Sequence, residues 1–188
     1  MSDKKQSGRK ILLLITVIFV APIFFAMYMY YSDSNWRPAI SANRGQLITP
    51  VRIIPDISLT NAADANNLYG AWSLLVLTTD QCDIVCADTL IRIRQIRLSL
   101  GPKMTKVQTL YLPAQHTEIP KNIHEEHPAL NIIEPQRSEN MRAIIGEFTN
   151  GEVFIVDPLG NLMMRYTPDA PMNDIRKDLG QLLKLSGI

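Results

Sequence analysis

Cysteine is almost missing from this chain: 188 residues hold two, Cys82 and Cys86, four positions apart. Histidine is nearly as scarce, with three residues, and the formal net charge is only +1. No basic stripe with interleaved aromatic residues occurs, which excludes nucleic acid as an expected partner. Internal repeats and low-complexity tracts are missing too, so the sequence reads as ordinary globular chain. One further absence is local. Between Ile11 and Tyr31, 21 consecutive positions carry no charge.

That run, "ILLLITVIFVAPIFFAMYMYY", meets the requirement of about 20 apolar residues for a helix to cross a bilayer core. It exceeds a signal-peptide apolar region, and no A-x-A cleavage site follows it. Tyr28, Tyr30, Tyr31 and Trp36 gather at its far end, where aromatic rings favour the headgroup zone. Pro22 lies mid-span, which membrane helices tolerate. Lys4, Lys5, Arg9 and Lys10 precede the run, so the positive-inside rule predicts a cytoplasmic N-terminus and an exported remainder. In a bacterial cell this means the inner membrane, with the C-terminal domain in the periplasm. The predicted organisation is a cytoplasmic tail over 1–10, a transmembrane anchor over 11–31, a tether and irregular lead-in over 32–69, and a folded domain over 70–188. The lead-in from about residue 45, whose short apolar pieces ("LITPVRIIP") allow an edge hairpin, is expected to pack on that domain. Four of the positive charges belong to the tail, so the exported part is close to neutral or mildly acidic. It is long enough for one domain with a real core.

Within the exported part, "AWSLLVLTT" is a continuous apolar run of β-formers and predicts a buried central strand. From about Val85 to Leu100, apolar residues Leu90, Ile93, Ile96 and Leu100 recur at spacings of three and four, predicting a helix that Gly101-Pro102 stop. Arg92, Arg94 and Arg97 lie between them and are read as its wet face. "VQTLYLP" and "ALNIIE" predict two more strands, and "SENMRAIIGEF" a short helix with Ser138 near its start. In "EVFIVDPLGNLMMRY", Pro158 suits the first corner of a type I turn and Gly160 the left-handed position, so two strands form a hairpin. A last amphipathic helix opens around Pro171. This order gives an α/β fold with a mixed sheet flanked by helices.

"DQCDIVC" is then the loop leaving a central strand for the next helix, at the carboxyl end of the sheet, where sites concentrate. Two cysteines at such an exit are not expected to be mere core packing. Cysteines four apart at a helix entrance can close a disulfide, because one helical turn rises about 5.4 Å and a disulfide spans Cα atoms about 4.4–6.8 Å apart. The helix N-terminus favours thiolate, whereas Asp80, Asp83 and Asp88 oppose it. If the acids win, the thiols stay protonated near neutral pH and react slowly; if the dipole wins, Cys82 is the attacking sulfur and Cys86 the resolving one. Reduced, the same two sulfurs suit Cu(I), a soft ion that accepts few ligands. Met163 and Met164 are read as hairpin core rather than thioether ligands. His116, His124 and His127 fall in one polar segment, "HTEIPKNIHEEHP"; His124 and His127 could share a metal on a helical turn, but a solvated segment is the favoured reading.

The single N-terminal anchor, "WSLLVLTTDQCDIVCADTL" before a long helix, and "VFIVDPLGNLMMRY" before the final helix together resemble the SCO family. Its members are membrane-anchored, thioredoxin-fold assembly factors for the copper site of cytochrome oxidase. The resemblance covers roughly residues 45–186, and its specific part is Cys-x-x-x-Cys where thioredoxins have Cys-x-x-Cys. Three features depart from the family. Asp83 and Ala87 stand where SCO proteins place proline after each cysteine; Thr149, Asn150 and Gly151 stand where the third copper ligand, a histidine, belongs; and the proline that thioredoxins set opposite their cysteines is missing. The resemblance implies thiol–disulfide exchange by Cys82 and Cys86 on a copper-site client, with cytochrome c oxidase subunits as expected partners and no obligatory cofactor. A Cu(I) carrier using the two thiolates, and a scaffold with a static disulfide, are the alternatives.

Overall fold

A computed structural model describes residues 3–31, 43–55, 68–115, 117, 119, 123–133 and 135–186. The chain divides into two compact units, residues 1–41 and 42–188.

In the first unit, Asp3–Tyr31 form one helix, α1, with Pro22 inside it. Its Gly8–Met29 stretch is apolar and long enough to cross a membrane, and none of it is buried against protein. A helix suits this sequence because every interior backbone group finds its partner within the segment.

The second unit is built on six strands in the order β1-β6-β5-β2-β3-β4. They are β1 (Gln46–Ile53), β2 (Trp72–Leu77), β3 (Val107–Leu112), β4 (Leu130–Ile132), β5 (Glu152–Val156) and β6 (Asn161–Tyr166). β2, β3 and β4 run parallel, while β5, β6 and β1 join through antiparallel pairings, so the sheet is mixed. β2 and β3 are buried along their full length because helices cover both faces, which explains their unbroken apolar runs. Helices α2 (Ile84–Ser99) and α5 (Met172–Leu185) supply Leu90, Ile93, Ile96, Ile175, Leu179 and Leu183 to one core. On the opposite face, α4 (Pro135–Ile145) sets Met141 and Ile145 against Leu75, Leu110 and Phe154. A four-residue helix, α3 (Ile123–Glu126), precedes β4.

Three details refine the sequence reading. α4 starts three residues before Ser138. β1 lies in the lead-in, where the sequence allows an edge hairpin; it is an edge strand that pairs with β6 instead, Gln46 with Arg165 and Arg52 with Leu162. The arginines of α2 do not form a simple wet face. Arg92 donates to the carbonyls of Pro168 and Ala170, Arg94 to Glu126 at 2.8 Å, and Arg97 to Val107 at 2.6 Å. The guanidinium groups thus satisfy carbonyls of neighbouring segments. The hairpin turn has the expected chemistry: the Asp157 carboxylate accepts from Leu159 N–H at 2.9 Å and Asn161 N–H at 2.8 Å.

Candidate functional site

β2 ends at Leu77, and the chain leaves the sheet through Thr78–Gln81 before α2 begins. Asp83 is the residue that starts the helix. Its backbone is extended, at φ −89° and ψ −171°, and its carboxylate accepts from Cys86 N–H at 2.9 Å. This N-cap satisfies one of the donors that a helix start leaves free. It also places Cys82 just before the helix and Cys86 in its first turn. The two Cα atoms lie 5.2 Å apart and the sulfurs are bonded to each other.

Burial separates the two sulfurs. Cys86 is fully buried against the α2–sheet core, and Cys82 is half-buried on its rim. Ile84 and Val85 stand exposed beside Cys82, with Asp80 and Asp83 exposed on the same loop. A partner thiol can therefore approach Cys82.

Behind Cys86 lies a polar network that sequence reasoning did not find. The Tyr111 hydroxyl is 3.8 Å from Cys86 Sγ and 3.2 Å from Thr78 Oγ1. Thr78 Oγ1 accepts in turn from Ala114 N–H at 3.2 Å. Arg142, reaching over from α4, donates to the carbonyls of Thr78 (3.1 Å), Leu112 (3.4 Å) and Pro113, so it ties together the ends of β2 and β3. Its guanidinium also lies 5.5 Å from the centre of the Phe148 ring. Burial pushes the Tyr111 phenol above its ordinary range; the Thr78 hydrogen bond and the Arg142 charge pull the other way, and Asp83 adds a smaller upward push. The signal available in the sequence was a tyrosine inside an apolar strand, since a buried phenol usually finds a polar partner.

The segment Thr149–Gly151 closes one side of the site. Asn150 Oδ1 accepts from Thr79 N–H at 3.2 Å, and Gly151 N–H donates to Leu77 O at 2.9 Å. Thr149 donates through its N–H (2.9 Å) and its hydroxyl (3.3 Å) to buried Glu152, whose carboxylate Arg165 grips at 2.5 and 2.9 Å.

The histidines do not join this site. His116 lies outside the described residues. His124 is exposed on α3 while His127 is buried just after it, beside β4 at the far edge of the sheet, so the two do not share one face. Burial first, then the Arg94 charge, lowers the His127 pKa. Met164 is buried in the core and Met163 packs against it. Among the described residues no group of three His, Cys, Asp or Glu side chains is placed to hold a metal ion. Two sulfurs are all the soft donors that the loop offers. Only after reduction would the pair suit a soft, two-coordinate ion; it offers none of the nitrogen that a tetragonal ion such as Cu(II) wants.

A family model described as "transmembrane-like, thioredoxin-like, C-terminal domain" matches residues 72–186. No curated protein matches the sequence. Solved structures do match the fold. Apo Sco1 from Thermus thermophilus superposes with a TM-score of 0.59 at 18% identity, over 77% of this chain and 99% of its own. Copper-bound ScoI from Bradyrhizobium japonicum gives 0.54 at 16%, over 69% and 98%. BsSco gives 0.51 at 14%, over 71% and 95%; it is described as a member of the Sco family of cytochrome c oxidase assembly proteins with a disulfide switch. At such identities the likeness establishes a shared thioredoxin-like, Sco-type fold.

Proposed function

Because this chain belongs to the transmembrane-like, thioredoxin-like C-terminal domain family, we propose that it is a membrane-anchored thiol–disulfide exchange protein whose working sulfurs are Cys82 and Cys86. The observation that carries this reading is the asymmetric pair: an accessible sulfur on the loop, bonded to a buried one in the first helical turn. Attack on the disulfide occurs at Cys82. In the reverse direction Cys82 thiolate attacks a client disulfide, and Cys86 resolves the mixed disulfide. The finer proposal is that the client is a copper site, that of cytochrome c oxidase, and that the domain faces the bacterial periplasm. Its support is the Sco-type fold together with the descriptions of copper-bound ScoI and BsSco.

The test is substitution of each sulfur. Cys86→Ser should accumulate a mixed disulfide with its client through Cys82, Cys82→Ser should not, and both should lose function. In the wild-type protein the disulfide should be reversible, with a potential above roughly −300 mV, because one of its sulfurs is accessible. A double Cys→Ala strain that assembles its oxidase normally would overturn the exchange and carrier readings together and leave only a scaffold role. The second reading, carriage of Cu(I) by the two thiolates, rests on the donor set. Anaerobic Cu(I) titration of the reduced protein should show binding lost in Cys82→Ser and retained when His116, His124 and His127 are all replaced by Ala.

A further inference from the structure

Thr78, Tyr111 and Cys86 form a chain of three polar groups in which two hydroxyl protons can be ordered either way. Tyr111 is buried on β3, opposite Val76 of β2, and faces the first turn of α2. Thr78 Oγ1 is pinned by Ala114 N–H. With Cys86 as a thiolate, the Tyr111 O–H points at sulfur and its oxygen accepts from the Thr78 O–H. With Cys86 as a thiol, the S–H donates to Tyr111, whose own proton turns to Thr78 Oγ1. In both reduced forms the Cys86 sulfur and the Tyr111 hydroxyl therefore have a partner, and only in the thiolate form does the Thr78 proton have one as well. In the disulfide the Cys86 sulfur has neither a proton to give nor a charge to attract one, so the contact with Tyr111 is weakest there.

Building on the exchange reading above, we infer that the Tyr111 hydroxyl, oriented by Thr78, is a positioning group that stabilises reduced Cys86 and favours its departure from the disulfide. In the forward step a partner dithiol attacks Cys82 as thiolate. The Cys82–Cys86 bond breaks, a bond forms between the partner's sulfur and Cys82, and Cys86 leaves as a thiolate that receives the Tyr111 hydrogen bond. The partner's second thiolate then attacks its own sulfur in the mixed disulfide and releases Cys82. Two electrons and two protons pass from the dithiol to the cysteine pair, and the partner becomes the disulfide. Tyr111 keeps its proton throughout, consistent with burial having raised its pKa, and acts by hydrogen bonding alone.

The experiment equilibrates the full chain in detergent with mixtures of reduced and oxidised dithiothreitol, then counts alkylated thiols by mass. Tyr111→Phe should lower the equilibrium constant for reduction about three- to tenfold, the effect of one hydrogen bond present in only one redox state. Thr78→Val should shift it the same way, and Thr78→Ser should restore the parent value. A merely structural loss would lower the melting temperature of both redox forms and leave this constant unmoved, and an unmoved constant in Tyr111→Phe overturns the inference. Should Tyr111→Phe fail to fold, the Val and Ser variants at position 78 decide, and equal constants overturn it. A parent disulfide that no couple can reduce overturns the exchange reading and this role together; a reducible parent with an unchanged variant overturns this role alone.

Discussion

Asp83 shows how one side chain can carry two opposing effects at the same site. As the N-cap of α2 its carboxylate accepts from Cys86 N–H and fixes the first turn, which holds both sulfurs in bonding range. As a charge it joins Asp80 and Asp88 on a stretch, residues 78–91, that contains no basic residue. Arg92, 4.0 Å from Asp88 and hydrogen-bonded to the carbonyls of Pro168 and Ala170, offsets Asp88, so Asp80 and Asp83 carry most of the field. The two roles separate by substitution. Asp83→Ala should cost about 1 kcal/mol of stability in chemical denaturation, the ordinary value of a lost cap. Asp83→Asn keeps a capping oxygen and should cost only a few tenths of a kcal/mol. The Asn variant should nonetheless be reduced faster than the parent by an anionic thiol such as mercaptoacetate, with the difference shrinking as salt is added. Equal rates for parent and Asn variant at low salt would show that the field of the loop does not reach Cys82.

The elements around the site make contact through one tight approach, where the segment before β5 meets the start of α2. Gly151 has φ +75°, and a Cβ there would lie 3.2 Å from Val85 Cγ1 and 3.4 Å from Thr89 Oγ1. Gly151→Ala therefore combines left-handed backbone strain with crowding of the turn that bears Cys86, and should cost about 1–3 kcal/mol. Adding Val85→Ala should return the crowding part and not the strain part, so the double variant should be more stable than the two single losses summed. Strict additivity in denaturant titrations would mean that the contact carries no energy. This junction also marks where the sequence stops being legible. The strand-to-helix loop, the amphipathic α2 and the Asp157 turn rest on local periodicity and turn chemistry, and these can be read from spacing alone. The arginines of α2 could not, because their spacing fits a wet face and only the fold brings the carbonyls of residues 107, 126, 168 and 170 within their reach. Tyr111 was hidden by its apolar neighbours: a strand buried on both faces has no alternation to reveal which residue meets a cysteine 25 positions away. β1 was legible only as a possible edge hairpin, since an edge strand exposed along most of its length carries little hydrophobic pattern.

At the scale of the whole molecule, the chemistry of the site depends on which side of a membrane it occupies. A disulfide persists in an oxidising compartment and is rare where glutathione and thioredoxin keep thiols reduced. The orientation argument rests on the basic residues Lys4, Lys5, Arg9 and Lys10 ahead of the apolar stretch Gly8–Met29, at whose start the last two of them lie. Inserting a helix with that flank inside the cytoplasm keeps the positive charge on the side the positive-inside rule favours. The expected outcome is that a reporter fused after Ile188 is active only if it works in the exported compartment. In intact spheroplasts, after mild reduction, a membrane-impermeant maleimide should label Cys82 without lysis. Replacing all four basic residues by Gln should weaken the orientation and yield a mixed population, with part of the chains losing the disulfide because their thiols now face the reducing side. A cytoplasm-only reporter that is fully active at the C-terminus, with label appearing only after lysis, would reverse the topology. It would also remove the compartment on which the proposed exchange by Cys82 and Cys86 relies.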